Sequence, residues 1–485
     1  MNDISLDITT QEIFNLYDKD VKYVEEQGTL IHAKLAKAFP PDKRSHTLNC
    51  SDYNRVFFTS DIHSDLRKFV SMLKENRLME TEIDPYHGDD IYNPKLISDS
   101  VWIGEDRTLL VIVGDLVDGT RLFPNGLKKS VDDSIGSFEL LLFCLIYNLR
   151  RKANREGSEI LFTIGNHEYS TILSPNHEYF PYVADTAKKF FGDSDETNLI
   201  HRREALLPFL ETSPYFMLEF YNGTLPEMAC IHGGFHSKGL YLSKYITEIQ
   251  TLVDNGDSLD SLVEEDDEDI SAIVTAGLFS RDYGEAEGPT GYCEALTKDQ
   301  YPFIVVGHCP TNFTNRTKHL IQTNHHYRGC AIYDSEGDHE DDIGCVILDC
   351  RGISGEEAPR LAFVDIAMSQ AFRNPTKPYD NKQRPGQMLL LTHDSSHVEE
   401  RYFNRIDRVA GIKDDFWDSG FPDALLGDTA LYIAPPKPEP ESMGFVGHPN
   451  LTTASRKNRR NRRTRKTIHR RHQQKRKRTR RSRLL

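Results

Sequence analysis

The sequence contains no CxxC pair; its eight cysteines are scattered over positions 50, 144, 230, 293, 309, 330, 345 and 350. A chain of 485 residues is long enough to bury a sizeable core, so the disulfide staples of small secreted domains are not expected. Long hydrophobic runs are also lacking. The longest, Phe138 to Tyr147 (FELLLFCLIY), falls far short of the roughly 18–20 residues of a membrane span. It predicts a buried helix and no membrane partner. The N-terminus, MNDISLDITTQEIF, has no basic start followed by an apolar core, so a secretory leader is not expected. These absences together predict an intracellular protein with reduced thiols, cytoplasmic or nuclear and not secreted.

Positive charge is scarce overall but not evenly so. The formal net charge is -15 and the isoelectric point near 5.7, which as averages argue against a nucleic-acid binder. Residues 456–485, however, hold 17 Lys plus Arg and no Asp or Glu. The remaining residues, 1–455, hold 42 Lys plus Arg against 74 Asp plus Glu, a net charge of -32. An acidic body is joined to a basic arm. At 38% apolar and 27% charged residues, the whole is neither collagen-like, nor a coiled coil, nor mostly disordered.

Four regions follow from the patterning. Residues 1–50 form an N-terminal helical segment, with Ile13, Leu16, Tyr17, Val21 and Val24 on one face. Residues 51–371 alternate short apolar strands with helical stretches. The strands are VFF (56–58), LLVIV (109–113), ILFTI (160–164), MACI (228–231), FIVV (303–306), CVIL (345–348) and LAFV (361–364). Several lack polar alternation, which marks burial on both faces and predicts an α/β sandwich. Residues 372–450 form an extension with one strand, MLLLT (388–392), and a Pro-rich linker, PPKPEPE (435–441). Residues 451–485 are an Arg/Lys-rich tail, too charged to fold alone.

Five strands each end in polar residues able to do chemistry. VFF leads into Asp61-Ile62-His63, LLVIV into Gly114-Asp115-Leu116-Val117-Asp118, and ILFTI into Gly165-Asn166-His167-Glu168. MACI leads into His232-Gly233-Gly234, and FIVV into Gly307-His308-Cys309-Pro310-Thr311. In open α/β sheets, ligands bind at this strand edge. Asp61 and His63 lie two apart, so an extended strand end points both the same way and makes a two-ligand clip. Asp115 offers two oxygens that can bridge two ions. Asn166, His232 and His308 add an amide oxygen and two imidazoles. Such a mixed N/O set suits Mn, Fe or Zn rather than Mg or Ca alone. Two ions about 3.5–4 Å apart are the usual clamp for in-line displacement at phosphorus.

The series DIH, GDLVD, GNHE, HGG and GHCPT resembles the calcineurin-like metallophosphoesterase superfamily, over about residues 55–370. Within it, the sequence is most similar to the branch of serine/threonine phosphoprotein phosphatases and their bacterial relatives. Two further segments carry that likeness. Leu278-Phe279-Ser280-Arg281 resembles the LWxR segment, and 363–369 (FVDIAMS) resembles a closing strand of the Shewanella-like subgroup. The resemblance implies a four-layer αββα sandwich and two divalent metal ions. It implies that Asp61, His63 and Asp115 hold the first ion, and that Asp115, Asn166, His232 and His308 hold the second. A hydroxide bridging the ions would attack phosphorus, His167 would protonate the leaving oxygen, and Asp118 would orient His167. An imidazolium beside a carboxylate does stay protonated near neutral pH. Arg281 would grip two phosphate oxygens as a fork. Glu168 is expected to position its loop rather than to react.

The departures from that pattern are specific. The arginine of GDxxDRG is replaced by Gly119, with Arg121 two residues on. Ser60 and Ser64 stand where the first motif usually has glycine. Pro310 occupies the place of the second histidine of GHxH, which argues against the nuclease branch.

The sequence predicts hydrolysis of phosphate monoesters, with phosphorylated protein as the substrate. A nucleotide or dinucleoside-polyphosphate hydrolase is the alternative on the same scaffold. An alternative of another class is a nucleic-acid-tethered structural or virion-associated protein, since 17 uncompensated charges release many counterions from DNA or RNA. The tail has no aromatic residue for base stacking, so such contact would be non-specific, or the tail would direct the chain to the nucleus or nucleolus. Acidic runs at 254–269 and 334–342 read as solvated loops, as does 80–106. His325 and His326 read as a solvated or structural pair.

Overall fold

The computed structural model describes residues 21–39, 45–83, 95–105, 107–117, 129–169, 206–210, 215–234, 248–251, 268–280, 301–308, 346–349, 360–365, 388–393 and 405–409. In chain order the strands are β1 (Thr47–Asn49), β2 (Arg55–Thr59), β3 (Met79–Glu80), β4 (Val101–Trp102), β5 (Thr108–Val113), β6 (Glu159–Thr163) and β7 (Met217–Asn222). They continue with β8 (Leu225–Ile231), β9 (Phe303–Val306), β10 (Val346–Asp349), β11 (Arg360–Phe363), β12 (Met388–Thr392) and β13 (Arg405–Val409). The longer helices are α1 (Val21–Ala38), α2 (Leu66–Glu75), α3 (Lys129–Arg155) and α4 (Glu268–Phe279).

The absence of polar alternation decides where the strands go. All six residues of β5, TLLVIV, are buried. A strand apolar on both faces belongs inside a covered sheet, and β5 lies between β2 and β6, parallel to both. β12 joins β2 antiparallel and β13 joins β12, which completes a five-stranded sheet ordered β13-β12-β2-β5-β6. A second, six-stranded sheet is ordered β1-β7-β8-β9-β11-β10, with β8, β9 and β11 parallel. A small ladder pairs β3 with β4.

The two sheets face each other. Phe58 of β2 meets Phe220 of β7 edge-on, with ring centroids 6.3 Å apart. Outside the five-stranded sheet, α3 lays the run predicted as a buried helix against it. Phe143 packs on Phe162 of β6 and on Phe209, with centroids 6.1 and 5.5 Å apart. On the six-stranded sheet, α4 brings Gly277 against Phe216 and Ile231. The result is the expected α/β architecture, a four-layer αββα sandwich with helices outside and sheets within.

β12 and β13 show that the five-stranded sheet draws on residues beyond 371. The described residues all fall in one unit, 1–427; the second unit, 428–485, lies outside them. The Pro-rich linker, the basic tail, the acidic run at 334–342, His325, His326 and the first 20 residues likewise lie outside the described residues, and the run at 254–269 is described only at its last two residues, which open α4. Among those described, no helix is long and apolar enough to cross a membrane. Cys50 and Cys230 are buried thiols, and burial pushes Cys50 up to about 12, so it is protonated and unreactive.

Candidate metal centre

Both sheets deliver side chains to one place. β2 runs into Asp61 and His63, β5 into Asp115, and β6 into the helical turn Asn166–Glu168. From the other sheet, β8 runs into His232 and β9 into His308. All of these residues are buried. The strand-end loops continue the ladder: Asp61 N–H donates to Gly114 O at 3.1 Å, His63 N–H to Asp115 O at 2.9 Å, and Ser64 N–H to Leu116 O at 2.7 Å. Asp65, the last acid of the first motif, caps α2 by accepting from Lys68 N–H at 3.0 Å.

Asp115 is the hub. Its Oδ1 lies 3.3 Å from His232 Nε2. Its Oδ2 lies 3.7 Å from His63 Nε2 and 3.8 Å from His167 Nε2. Asn166 Oδ1 is 3.0 Å from His232 Nε2, and Asp61 Oδ1 is 3.8 Å from His63 Nε2. Two ligand clusters result, and they share this one carboxylate. One joins Asp115 to His63 and His167, the other joins it to His232 and His308, each with its donor atoms within 4.8 Å of one another.

The histidine tautomers fit a metal. His232 Nδ1–H donates to Val113 O at 2.7 Å, and His63 Nδ1–H donates to Val117 O at 3.0 Å. A carbonyl can only accept, so each Nδ1 carries a proton and each ring points Nε2 into the cluster, where the neutral form offers a lone pair to a metal. At His232 that nitrogen faces two oxygen acceptors, Asn166 Oδ1 and Asp115 Oδ1. A proton on Nε2 satisfies these oxygens without a metal, and a cation between them would take that proton's place. The donor set of imidazole, carboxylate and amide accommodates two divalent ions.

Charge tells the same story. Burial works against the His232 imidazolium, but the Asp115 carboxylate overrides it and raises the ring to about 10. Burial also disfavours ionised Asp115, yet His232 and His167 hold it well below the usual carboxylate range. Asp61 lies well above that range, through burial first and then through the nearby Asp365 and Asp115 carboxylates. A divalent cation replaces this forced protonation with ligation.

The backbone is strained at the same points. Asp61, His63, Ser64, Asp115 and His308 all have φ between 44° and 62°. Left-handed backbone at a non-glycine residue costs on the order of 1–3 kcal/mol. Next to Asp115, Gly114 has φ +75°, and a Cβ there would sit 2.5 Å from His232 Nδ1, so glycine is required for the close approach.

The structure brings Asp61, His63, Asp115, Asn166, His167, His232 and His308 together. Asp118 and Arg281, together with Gly119 and Arg121, lie outside the described residues. Three further residues support the site, and the first, Glu168, positions its loop as expected. Glu168 accepts from the N–H groups of Asp115 (2.9 Å), Leu116 (2.6 Å), Val117 (3.0 Å) and Gly165 (2.8 Å), tying the β5 loop to the β6 loop. Its place in GNHE was the available signal. Ser60 hydrogen-bonds Asp61. Asp365 is a fully buried acid just past β11; its segment, 363–369, was read as a closing strand, with no role assigned to this carboxylate.

The family described as calcineurin-like phosphoesterase matches residues 54–312. No curated protein matches the chain. Among solved structures, the chain is similar to a cold-active protein tyrosine phosphatase, at 15% identity over 76% of this chain and 78% of that one, with a TM-score of 0.44. It is similar to a cold-active protein tyrosine phosphatase of a psychrophilic Shewanella species, at 15% identity over 76% and 82% of the two chains, with a TM-score of 0.42. It is also similar to a protein serine/threonine phosphatase from Saccharomyces cerevisiae, at 12% identity over 81% and 91%, with a TM-score of 0.39. With more than half of its residues matched by the family and two metal-ligand clusters at the matched strand ends, the chain belongs to the calcineurin-like phosphoesterases and is a metal-dependent phosphoesterase.

Proposed function

We propose that this phosphoesterase hydrolyses phosphate monoesters, and that its substrates are phosphoserine and phosphothreonine side chains of proteins. The observation that carries the chemistry is Asp115, one carboxylate shared by two ligand clusters. When bound, two divalent ions supply Lewis acidity and a nucleophile at neutral pH. The chain's own residues do the rest. Asp61, His63 and Asp115 hold one ion, and Asp115, Asn166, His232 and His308 hold the other. His167 gives its proton to the leaving oxygen, Asp118 orients it, and Arg281 grips two phosphate oxygens.

Several observations support these roles. His167 is buried beside Asp115, whose Oδ1 accepts its backbone N–H at 3.0 Å. Arg281 follows two residues after the end of α4, and that end sits on the loop of His232, where Gly233 N–H donates to Gly277 O at 2.5 Å. Substrate class rests on charge and on Pro310. The body's net charge of -32 repels a polyanion over long range more than it repels a single phosphorylated side chain.

The test is an assay of purified protein with Mn against a phosphopeptide, diadenosine tetraphosphate and an RNA strand. Preference for the phosphopeptide is expected; preference for the tetraphosphate would make the chain a nucleotide hydrolase. An Asp115→Asn variant loses orders of magnitude in kcat. A His167→Ala variant retains two ions and loses activity; loss of an ion instead would make His167 a ligand, as its place beside His63 and Asp115 allows.

A further inference from the structure

The roles above use Asp61 but leave Ser60 unexplained, although it is fully buried against the site. Ser60 Oγ donates to Asp61 Oδ2 at 2.5 Å. His308 N–H donates to the same oxygen at 3.1 Å. The other oxygen, Oδ1, faces His63 Nε2 at 3.8 Å. One oxygen of the carboxylate is therefore engaged by two protein donors, and the other faces the cluster.

The arrangement has no slack. Gly307 lies directly over it, and a Cβ there would be 2.9 Å from both Asp61 Oδ2 and Ser60 Oγ, and 2.8 Å from Val113 O. Turning the carboxylate to offer both oxygens to one ion would break both hydrogen bonds. A carboxylate held in this way ligates through one oxygen. That suits small ions with four to six ligands, whereas calcium takes six to eight and favours bidentate carboxylates.

We infer that Ser60 is a positioning residue that sets metal selectivity: its hydroxyl, with the His308 N–H, locks Asp61 into one-oxygen ligation of the first ion. Ser60 touches neither ion nor substrate and acts through Asp61. The inference rests on the dinuclear reading of the site. It also gives a use to a serine at a position where the first motif usually carries glycine, which has no hydroxyl to donate.

The experiment strips wild type and Ser60→Ala of metal and titrates each with Mn and, separately, with Ca by calorimetry. Both are also melted in EDTA. In Ser60→Ala, one of the two Mn ions is expected to bind about tenfold more weakly, the usual lower bound for losing a hydrogen bond to a metal ligand. The other Mn ion binds as in wild type, the preference for Mn over Ca narrows, and the EDTA melting point stays unchanged. Ser60→Gly, which also removes the Cβ, gives the same loss of Mn affinity and so assigns it to the hydroxyl. The inference is overturned if Ser60→Ala binds both Mn ions as wild type does. It is equally overturned if the EDTA melting point falls while both affinities hold, which would make Ser60 a packing residue. Wild type that takes up fewer than two Mn ions would sink the dinuclear reading, and this inference with it.

Discussion

Glu168 shows how a residue outside the chemistry can govern it. Its carboxylate gathers four backbone N–H groups from two loops, and Asp115 returns a bond from the other side by accepting His167 N–H. This double brace holds Asp115 at φ 54°, in the left-handed region that few non-glycine residues adopt. A Glu168→Gln variant turns one acceptor into an NH2 that confronts donors. Each buried group left unsatisfied costs about 1–3 kcal/mol. The expected result is a melting point several degrees lower by calorimetry, together with weaker Mn binding. An unchanged melting curve would show that the brace is slack. The same logic explains the clustering of left-handed residues. Strain at Asp61, His63, Asp115 and His308 is tolerable because the loops around them are tied to one another.

At the scale of elements, the central strands and the site were legible while the sheet edges were not. β2, β5, β6, β8 and β9 announce themselves because strands covered on both faces are apolar runs, and each ends in a short, recognisable polar motif. β1 and β7 do not. TLN is too short to signal anything, and MLEFYN carries Glu219 in the middle of a strand. That glutamate is met by two partners far away in sequence, His46 Nε2 at 3.4 Å and the Tyr301 hydroxyl, and by Tyr221 Oη at 3.4 Å on its own strand. β12 was visible as MLLLT, but its place beside β2 depends on a long-range pairing that no local pattern encodes. The Glu219 cluster yields a pH prediction. Burial would raise Glu219, but the hydrogen bonds from His46 and Tyr301 prevail and hold it below its ordinary 4.5. A carboxyl depressed in the folded state stabilises the fold above its unfolded value, and that contribution is lost as pH falls through the folded one. Thermal melting between pH 6 and pH 3 should therefore drop more steeply for wild type than for Glu219→Gln below about pH 4.5. Parallel curves would remove the cluster from the acid response.

For the whole molecule, the average charge conceals two opposed parts, a body of net -32 and an arm with 17 positive charges. We propose that this arm contacts DNA through charge alone; deleting 456–485 is then expected to abolish salt-sensitive binding in gel-shift titrations and to leave phosphoesterase turnover unchanged. Binding that survives the deletion would locate the contact on the body instead. The origin of the ligands in both sheets has a consequence in time rather than in affinity. In the proposed assignment the second ion is held by Asp115 and Asn166 on one side of the sandwich and by His232 and His308 on the other, a pin through a seam. It leaves only when the strand-end loops part. Inactivation by a chelator should therefore reach a plateau rate that more chelator does not raise, and that plateau measures how often the seam opens.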